Sequence, residues 1–282
     1  MNVDNVYDVD HIVRPGETIN ARGRHLYPGG KGLNQSIAVA RAGGDIWHIG
    51  VLGADGGVLE RALTENRIHM DYIKRVPGNS AHTMLQVDRN GQNSIIVFAD
   101  EYITFTDAEM DEILTHFGPG DAVIFQNELD RSPVFMKKAA DRGLTVIFNP
   151  SPMEETIFSY PLDRVGWFIV NEIEGGALTG EKDPEKILDV MAVKYPSAGV
   201  VLTLGSEGAW SMRGTERIFQ PAFRVKAVDT TAAGDTFLGY FTAGMLAGES
   251  LGHVLFRAAK ASAIAVSRPG AADSIPSREE VE

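Results

Sequence analysis

The chain has 282 residues, with 26 Lys and Arg against 38 Asp and Glu, for a formal net charge of -12. That balance, with no basic run to offset it, argues against a nucleic-acid partner, and the lack of cysteine removes disulfides, thiol nucleophiles and cysteine-ligated zinc. No apolar run reaches the ~18 residues of a membrane span and no basic-then-apolar signal pattern opens the sequence, so a cytoplasmic protein with no membrane partner and a sizeable core is expected.

In chain order, Met1 to Tyr27 shows no helical period. Val9, Ile12, Val13 and Ile19 around Pro15-Gly16-Glu17 predict short strands about a turn. Next, Pro28-Gly29-Gly30-Lys31-Gly32-Leu33-Asn34-Gln35 places glycines ahead of a helical pattern at Leu33, Ile37, Ala40 and Arg41. Backbone can approach a ligand closely there, within reach of an amide and an ammonium; alone, the stretch is equally an ordinary loop into a helix. Thr83 to Val87 and Ser94 to Phe98 predict a strand pair about Asp88-Arg89-Asn90-Gly91. Together, residues from about 5–27 and 80–100 read as a small β layer, a lid over a site on the main body.

Further on the pattern is regular. It gives strand Ala122 to Phe125, helix Pro133 to Arg142, strands Thr145 to Phe148 and Trp167 to Val170, helix Pro184 to Tyr195 and strand Gly199 to Leu204. Short apolar runs separated by helices predict an α/β fold, a doubly wound and mainly parallel sheet with helices on both faces, as one domain over 1–282. Gln126-Asn127-Glu128, Asn149-Pro150, Asn171-Glu172-Ile173-Glu174 and Gly205-Ser206-Glu207-Gly208 gather polar groups past the strand ends, on one rim. A hairpin about Arg213-Gly214 follows, then helices Leu238 to Ala247 and Leu251 to Val266.

Between that hairpin and those helices lies Val228-Asp229-Thr230-Thr231-Ala232-Ala233-Gly234-Asp235-Thr236-Phe237. Small residues before an apolar-periodic segment predict a tight turn that opens a helix with its first N–H groups outward, a cradle for an anion. A carboxylate beside a phosphate site is then anomalous. Asp235 is either a helix cap or a group placed to take the proton of a hydroxyl that attacks phosphorus.

Other chemistries lack their frames. Gly30-Lys31 is followed by Gly32 and preceded at the leading position by His25, so it is not a P-loop. Gly50, Gly53 and Gly56 do not make a dinucleotide fingerprint, and Ser206 lacks a nucleophile elbow.

The two glycine-bearing stretches, roughly 200 residues apart and in this order, resemble the signature motifs of the ribokinase family of carbohydrate kinases, most closely its ribose-phosphorylating members. The resemblance covers nearly the whole chain. It implies an ATP-dependent sugar kinase acting on a terminal hydroxymethyl group of D-ribose, with another sugar or a nucleoside as the alternative substrate. Asp235 becomes the base, and the amides of Ala232, Ala233, Gly234 and Asp235 the anion hole. Asn2, Asp4, Gly30, Lys31, Asn34, Glu128 and Asp235 become the sugar ligands. Asn171, Thr203, Leu204, Gly205, Ser206, Glu207, Gly208 and Gly234 line up with the ATP site. Magnesium is expected at Asn171 and Glu174, whose other reading is a helix cap with an acidic first turn. Potassium is expected at Asp229, Thr231, Ala265, Arg268, Gly270 and Ser274. The lid strands of the family imply a homodimer formed through the lid.

Departures from the family pattern are equally specific. Its small Gly-Ala-Asn stretch appears as Ala99-Asp100-Glu101, Ala259 replaces a frequent His or Asn near the adenine, and the closing helix is missing from Ser277 to Glu282. The strand that normally leads to the Asn2 and Asp4 positions has no counterpart. The expectation is therefore a natural start about ten residues earlier, and in this chain either an open gap beside two strands or a borrowed strand. A catalytically inactive sugar-binding relative is the alternative from another class.

Overall fold

The central sheet follows from strands that are apolar on both faces. Val146 and Phe148 join one buried cluster while Ile147 between them joins another; Phe168 and Val170 alternate with Trp167 and Ile169, and Val200 and Leu202 with Val201, in the same way. A strand buried on both faces needs a helical layer on each side.

A computed structural model describes residues 1–99 and 104–282, so Asp100 and Glu101 lie outside it. In chain order the strands are β1 (Asn2–Asp8), β2 (Gly23–Gly29), β3 (Gly50–Leu52), β4 (Ile73–Arg75), β5 (His82–Val87), β6 (Asn93–Phe98), β7 (Ala122–Phe125), β8 (Thr145–Phe148), β9 (Trp167–Asn171), β10 (Gly199–Thr203), β11 (Gly208–Arg213) and β12 (Glu216–Pro221). The helices are α1 (Lys31–Arg41), α2 (Gly57–Glu65), α3 (Asp107–Leu114), α4 (Ser132–Asp141), α5 (Glu172–Thr179), α6 (Pro184–Lys194), α7 (Ala233–Leu246), α8 (Leu251–Val266) and α9 (Arg278–Val281).

The main sheet has the order β12-β11-β10-β9-β8-β7. Strands β7 to β10 run parallel, and the β11–β12 hairpin extends the sheet antiparallel. Residues of α3, α4 and α6 pack on one face and residues of α7 and α8 on the other. This is the doubly wound α/β fold expected. A second sheet, β2-β1-β5-β6, is the β layer. Strands β3 and β4 pair in parallel by themselves.

Four expectations are corrected. The early strands are β1 and β2, not the apolar residues at 9–19, because β1 pairs with both β2 and β5 along its length. Helix α7 begins at Ala233, five residues before the apolar period, since Thr236 N–H already bonds to the Ala232 carbonyl at 2.8 Å. Asp235 does not cap that helix, which has no side-chain cap. The end of the chain does close on a helical turn, α9, with a capping box between Ser277 and Glu280.

The main sheet ends at β7 among the described residues. Asp121 and Phe125 give their carbonyls to β8, so Ala122 and Ile124 turn theirs to the opposite edge, which pairs with no strand among the described residues. On the far side, His48 N–H and the Ile46 carbonyl are bonded to His69. Between the two lies a trough of about 460 Å³ lined by Ile46–Ile49, Ala122–Ile124, Leu114, Phe117 and Leu246.

Candidate active site

The site is organised where α1 meets α7. Gly239 makes that approach possible: a Cβ there would stand 2.3 Å from the Ala38 Cβ and 2.8 Å from the Val39 nitrogen. One helical turn back along each partner are Asp235 on α7 and Asn34 and Gln35 on α1, on the facing sides. Asn34 Nδ2 donates to Asp235 Oδ2 at 3.1 Å, and Gln35 Nε2 donates to Asp235 Oδ1 at 2.9 Å. Burial pushes the Asp235 carboxyl above its ordinary range, while the two amides and the Lys31 ammonium pull it partly back.

Ala232 precedes α7 in the left-handed conformation, with φ 59°. Of the first N–H groups of the helix, that of Ala233 donates to the Thr230 carbonyl at 3.3 Å, and those of Gly234 and Asp235 precede the first intrahelical bond, from Thr236, with no side-chain cap. A Cβ on Gly234 would meet nothing within 4 Å, so the space above these groups is open. The cavity there is lined by Lys31, Asn149, Ser151, Asn171, Glu172, Glu174, Thr203, Gly205, Thr230 and Ala232 to Asp235, with a volume of about 490 Å³. Backbone donors at the positive end of a helix, facing open space, form an anion site.

On the other side of α1, Asn2 Nδ2 and Thr83 Oγ1 donate to Asp4 Oδ1 at 2.5 and 2.6 Å, and burial again raises the carboxyl. Gly29 lies against that carboxylate, where a Cβ would come within 2.0 Å of Oδ2. Gly30 holds φ +94°, which L side chains rarely adopt, as the chain turns from β2 into α1. Lys31, the first residue of α1, pairs with Glu128 at 3.8 Å. Asn34 is 5 % exposed and its Oδ1 has no partner. A buried acceptor left this way is suited to a ligand hydroxyl.

Asn171 and Glu174 form a reciprocal capping box on α5: Glu174 N–H donates to Asn171 Oδ1 at 2.9 Å, and Asn171 N–H to Glu174 Oε2 at 3.0 Å. The cap reading of this pair is thus realised, and the pair lines the cavity as well. Burial raises the Glu174 carboxyl. At the other candidate cation site, the Asp229 carboxylate accepts from Thr231 N–H and Oγ1 and from Gly270 N–H at 3.0 Å. Burial pushes Asp229 up, but these hydrogen bonds outweigh it and hold it below the usual carboxylate range. Ala265 is fully buried; its carbonyl accepts from Arg268 N–H at 3.0 Å. The Arg268 side chain pairs instead with Glu280, and Ser274 Oγ bonds to the Ala271 carbonyl.

Thr203 and Gly205 reach the cavity. Leu204 is instead a core residue, Ser206 and Glu207 are exposed, and Gly208 starts β11 against β12. Ala259 sits in the core shared by α7 and α8. The sequence reading did not single out Gln35, Thr83, Ser151 or Thr230 as site residues. Gln35 carries the nearest signal, since it closes the glycine-bearing motif that was read.

The chain resembles known proteins along its whole length. Residues 1–278 match the family model described as pfkB family carbohydrate kinase. Ribokinase of Schizosaccharomyces pombe is 34% identical over 305 residues, covering 100% of this chain and 94% of that protein. Ribokinase of Cryptococcus neoformans in complex with ADP superposes with a TM-score of 0.86 at 31% identity, covering 99% of this chain and 96% of that one. The Arabidopsis thaliana ribokinase complexed with ribose and ATP gives a TM-score of 0.87 at 30% identity, covering 99% and 94%. The match of family model, fold and length is that of a phosphotransferase, and the chain belongs to the pfkB family of carbohydrate kinases.

Proposed function

We propose that this chain, as one kinase domain, transfers the γ-phosphate of ATP to the terminal hydroxymethyl group of D-ribose. The observation that carries the reading is Asp235, held by two amides at the uncapped N-terminus of α7. Support for ribose comes from the ribokinase relatives and from Asp4, Asn34 and Glu128 around the Pro28 to Gln35 stretch.

In the reaction, the sugar hydroxyl passes its proton to the Asp235 carboxylate as its oxygen attacks the γ-phosphorus. The bond from phosphorus to the β–γ bridging oxygen breaks and ADP leaves. Backbone N–H groups of the Ala232 to Asp235 turn, foremost those of Gly234 and Asp235 since Ala233 N–H also serves the Thr230 carbonyl, stabilise the charge of the transferring group, and positioning supplies much of the remaining rate. A carboxyl raised by burial is a stronger base than an exposed one. Asp4, with Asn2, Gly30, Lys31, Asn34 and Glu128, binds the other sugar hydroxyls. Thr203 and Gly205 belong to the nucleotide side.

Asn171 and Glu174 fit magnesium carried with ATP, because Glu174 presents a buried carboxylate whose capping bond engages only Oε2. Bound there, the ion neutralises phosphate charge. Potassium would be held where Asp229 ties the Thr231 turn to Gly270, and Ala265, Arg268 and Ser274 would add backbone oxygens. We also place the protein in the cytoplasm, as a homodimer formed through the lid sheet, whose β6 leaves Ile96 61% and Val97 67% exposed.

A coupled assay of ADP release over a panel of pentoses, hexoses and nucleosides tests the reading. Ribose should give the highest kcat/KM. Preference for another acceptor would overturn the substrate, and no ADP release with any of them would leave an inactive relative.

A further inference from the structure

The Asp235 carboxylate is oriented by a polar relay that begins outside the two motifs. Gln126, just past β7, donates from Nε2 to Gln35 Oε1. Gln35 donates from Nε2 to Asp235 Oδ1 at 2.9 Å and to Asn149 Oδ1 at 3.5 Å. Asn149 in turn donates from Nδ2 to the Ile169 carbonyl at 3.0 Å and to Glu174 Oε2 at 3.4 Å.

The direction of the relay follows from its chemistry. Gln35 is 1 % exposed, and an amide has one acceptor oxygen and two N–H donors. A carboxylate accepts only, so Gln35 must present its NH2 to Asp235, and its oxygen must then find a donor elsewhere. Gln126 is that donor. Turned over, Gln35 would set its oxygen against the carboxylate and its NH2 against that of Gln126, losing both bonds. The amide has its acceptor and both donors engaged, and the second N–H ties the base to the residue that steadies Glu174.

We infer that Gln35 is the positioning residue of the catalytic base, held in its one productive orientation by Gln126. The inference rests on Asp235 acting as base in the proposed reaction. Gln35 contacts the carboxylate rather than the reacting atoms, so its effect is on the orientation and charge of Asp235. The other charged groups that face Asp235 are Lys31 on α1, which favours the carboxylate, and Glu128 past β7, which opposes it, with Glu172 and Glu174 on α5 lining the same cavity.

The test is the pH profile of kcat/KM for ribose in the full-length enzyme and its variants. Gln35→Leu removes one of two hydrogen bonds to the ionised form of Asp235, so its acid limb should move up by about one pH unit. KM for ribose should change less than kcat. Gln126→Leu should move the limb the same way by less, and the double variant should match Gln35→Leu, because Gln126 acts through Gln35. A Gln35→Leu limb that coincides with wild type, or a Gln126→Leu shift that adds in full to it, would overturn the inference. If Gln35→Leu does not fold, the Gln126→Leu limb decides alone: a rise supports the relay and no movement refutes it. A wild-type enzyme that does not turn over ribose would instead refute the substrate assignment, so the two failures are distinct.

Discussion

Replacing Asp4 by Asn separates sugar binding from phosphoryl transfer. In the protein, both neighbouring donors converge on Oδ1, from Asn2 at 2.5 Å and Thr83 at 2.6 Å. An amide oxygen can keep both bonds, while an NH2 group takes the place of Oδ2 and turns an acceptor into a donor. A sugar hydroxyl that donates to Oδ2 then loses a charge-assisted bond, worth about 1.5–3 kcal/mol, so KM for ribose should rise about 10- to 150-fold at 1.4 kcal/mol per tenfold. Because that bond is present before and during transfer, kcat should stay within about threefold. Stability should move the other way. Burial raises the folded-state pKa of Asp4, so its stabilising contribution is present at low pH and is lost as pH rises through that value. At neutral pH the charged group costs stability, and Asp4→Asn should leave Tm unchanged or higher. Steady-state kinetics with ribose and a thermal melt at neutral pH measure both. An unchanged KM, a lower kcat at constant KM, or a Tm several degrees lower would each refute the reasoning.

Asn171→Ala removes the cap of α5 and should destabilise the protein by about 1 kcal/mol; if the pair also serves the metal, the magnesium concentration for half-maximal activity should rise, and an unmoved magnesium dependence would leave only the cap. Activity should increase with potassium much more than with sodium if the turn at Asp229 and the loop at Gly270 enclose a cation, and a flat response in a sodium-free assay would remove that site. Val97→Lys places a charge on the exposed strand of the lid; sedimentation should show a dimer for wild type and a monomer for the variant, and a monomeric wild type would end the lid-dimer proposal.

Much of the main sheet was legible because its strands are buried on both faces and its helices are punctuated by turn residues. Strands β7 and β8 fall where the apolar runs place them. Strands β1 and β2 did not, since Asn2, Asp4, Asn5 and Asp8 on one strand and Arg24 and His25 on the other make a polar, half-exposed ribbon without the alternation that marks a strand. Their pairing depends on β5, some eighty residues away in sequence. The start of α7 was hidden for a related reason: its first turn is small and polar to serve the site, so the apolar period begins one turn late. The motif residues around Asp235 and Lys31 were legible from spacing. The bonds from Asn34 and Gln35 to Asp235 span 201 and 200 residues and exist only because Gly239 lets two helices touch. No local pattern encodes such a contact.

The central claim is that Asp235 is the base of a phosphoryl transfer rather than a structural carboxylate. Asp235→Asn, measured for kcat by ADP release and for ribose affinity by calorimetry, tests it most directly. The account predicts kcat lower by ~10² or more, with affinity within a few-fold and a retained fold by thermal melt. A variant that binds ribose and turns over at close to the wild-type rate would contradict it.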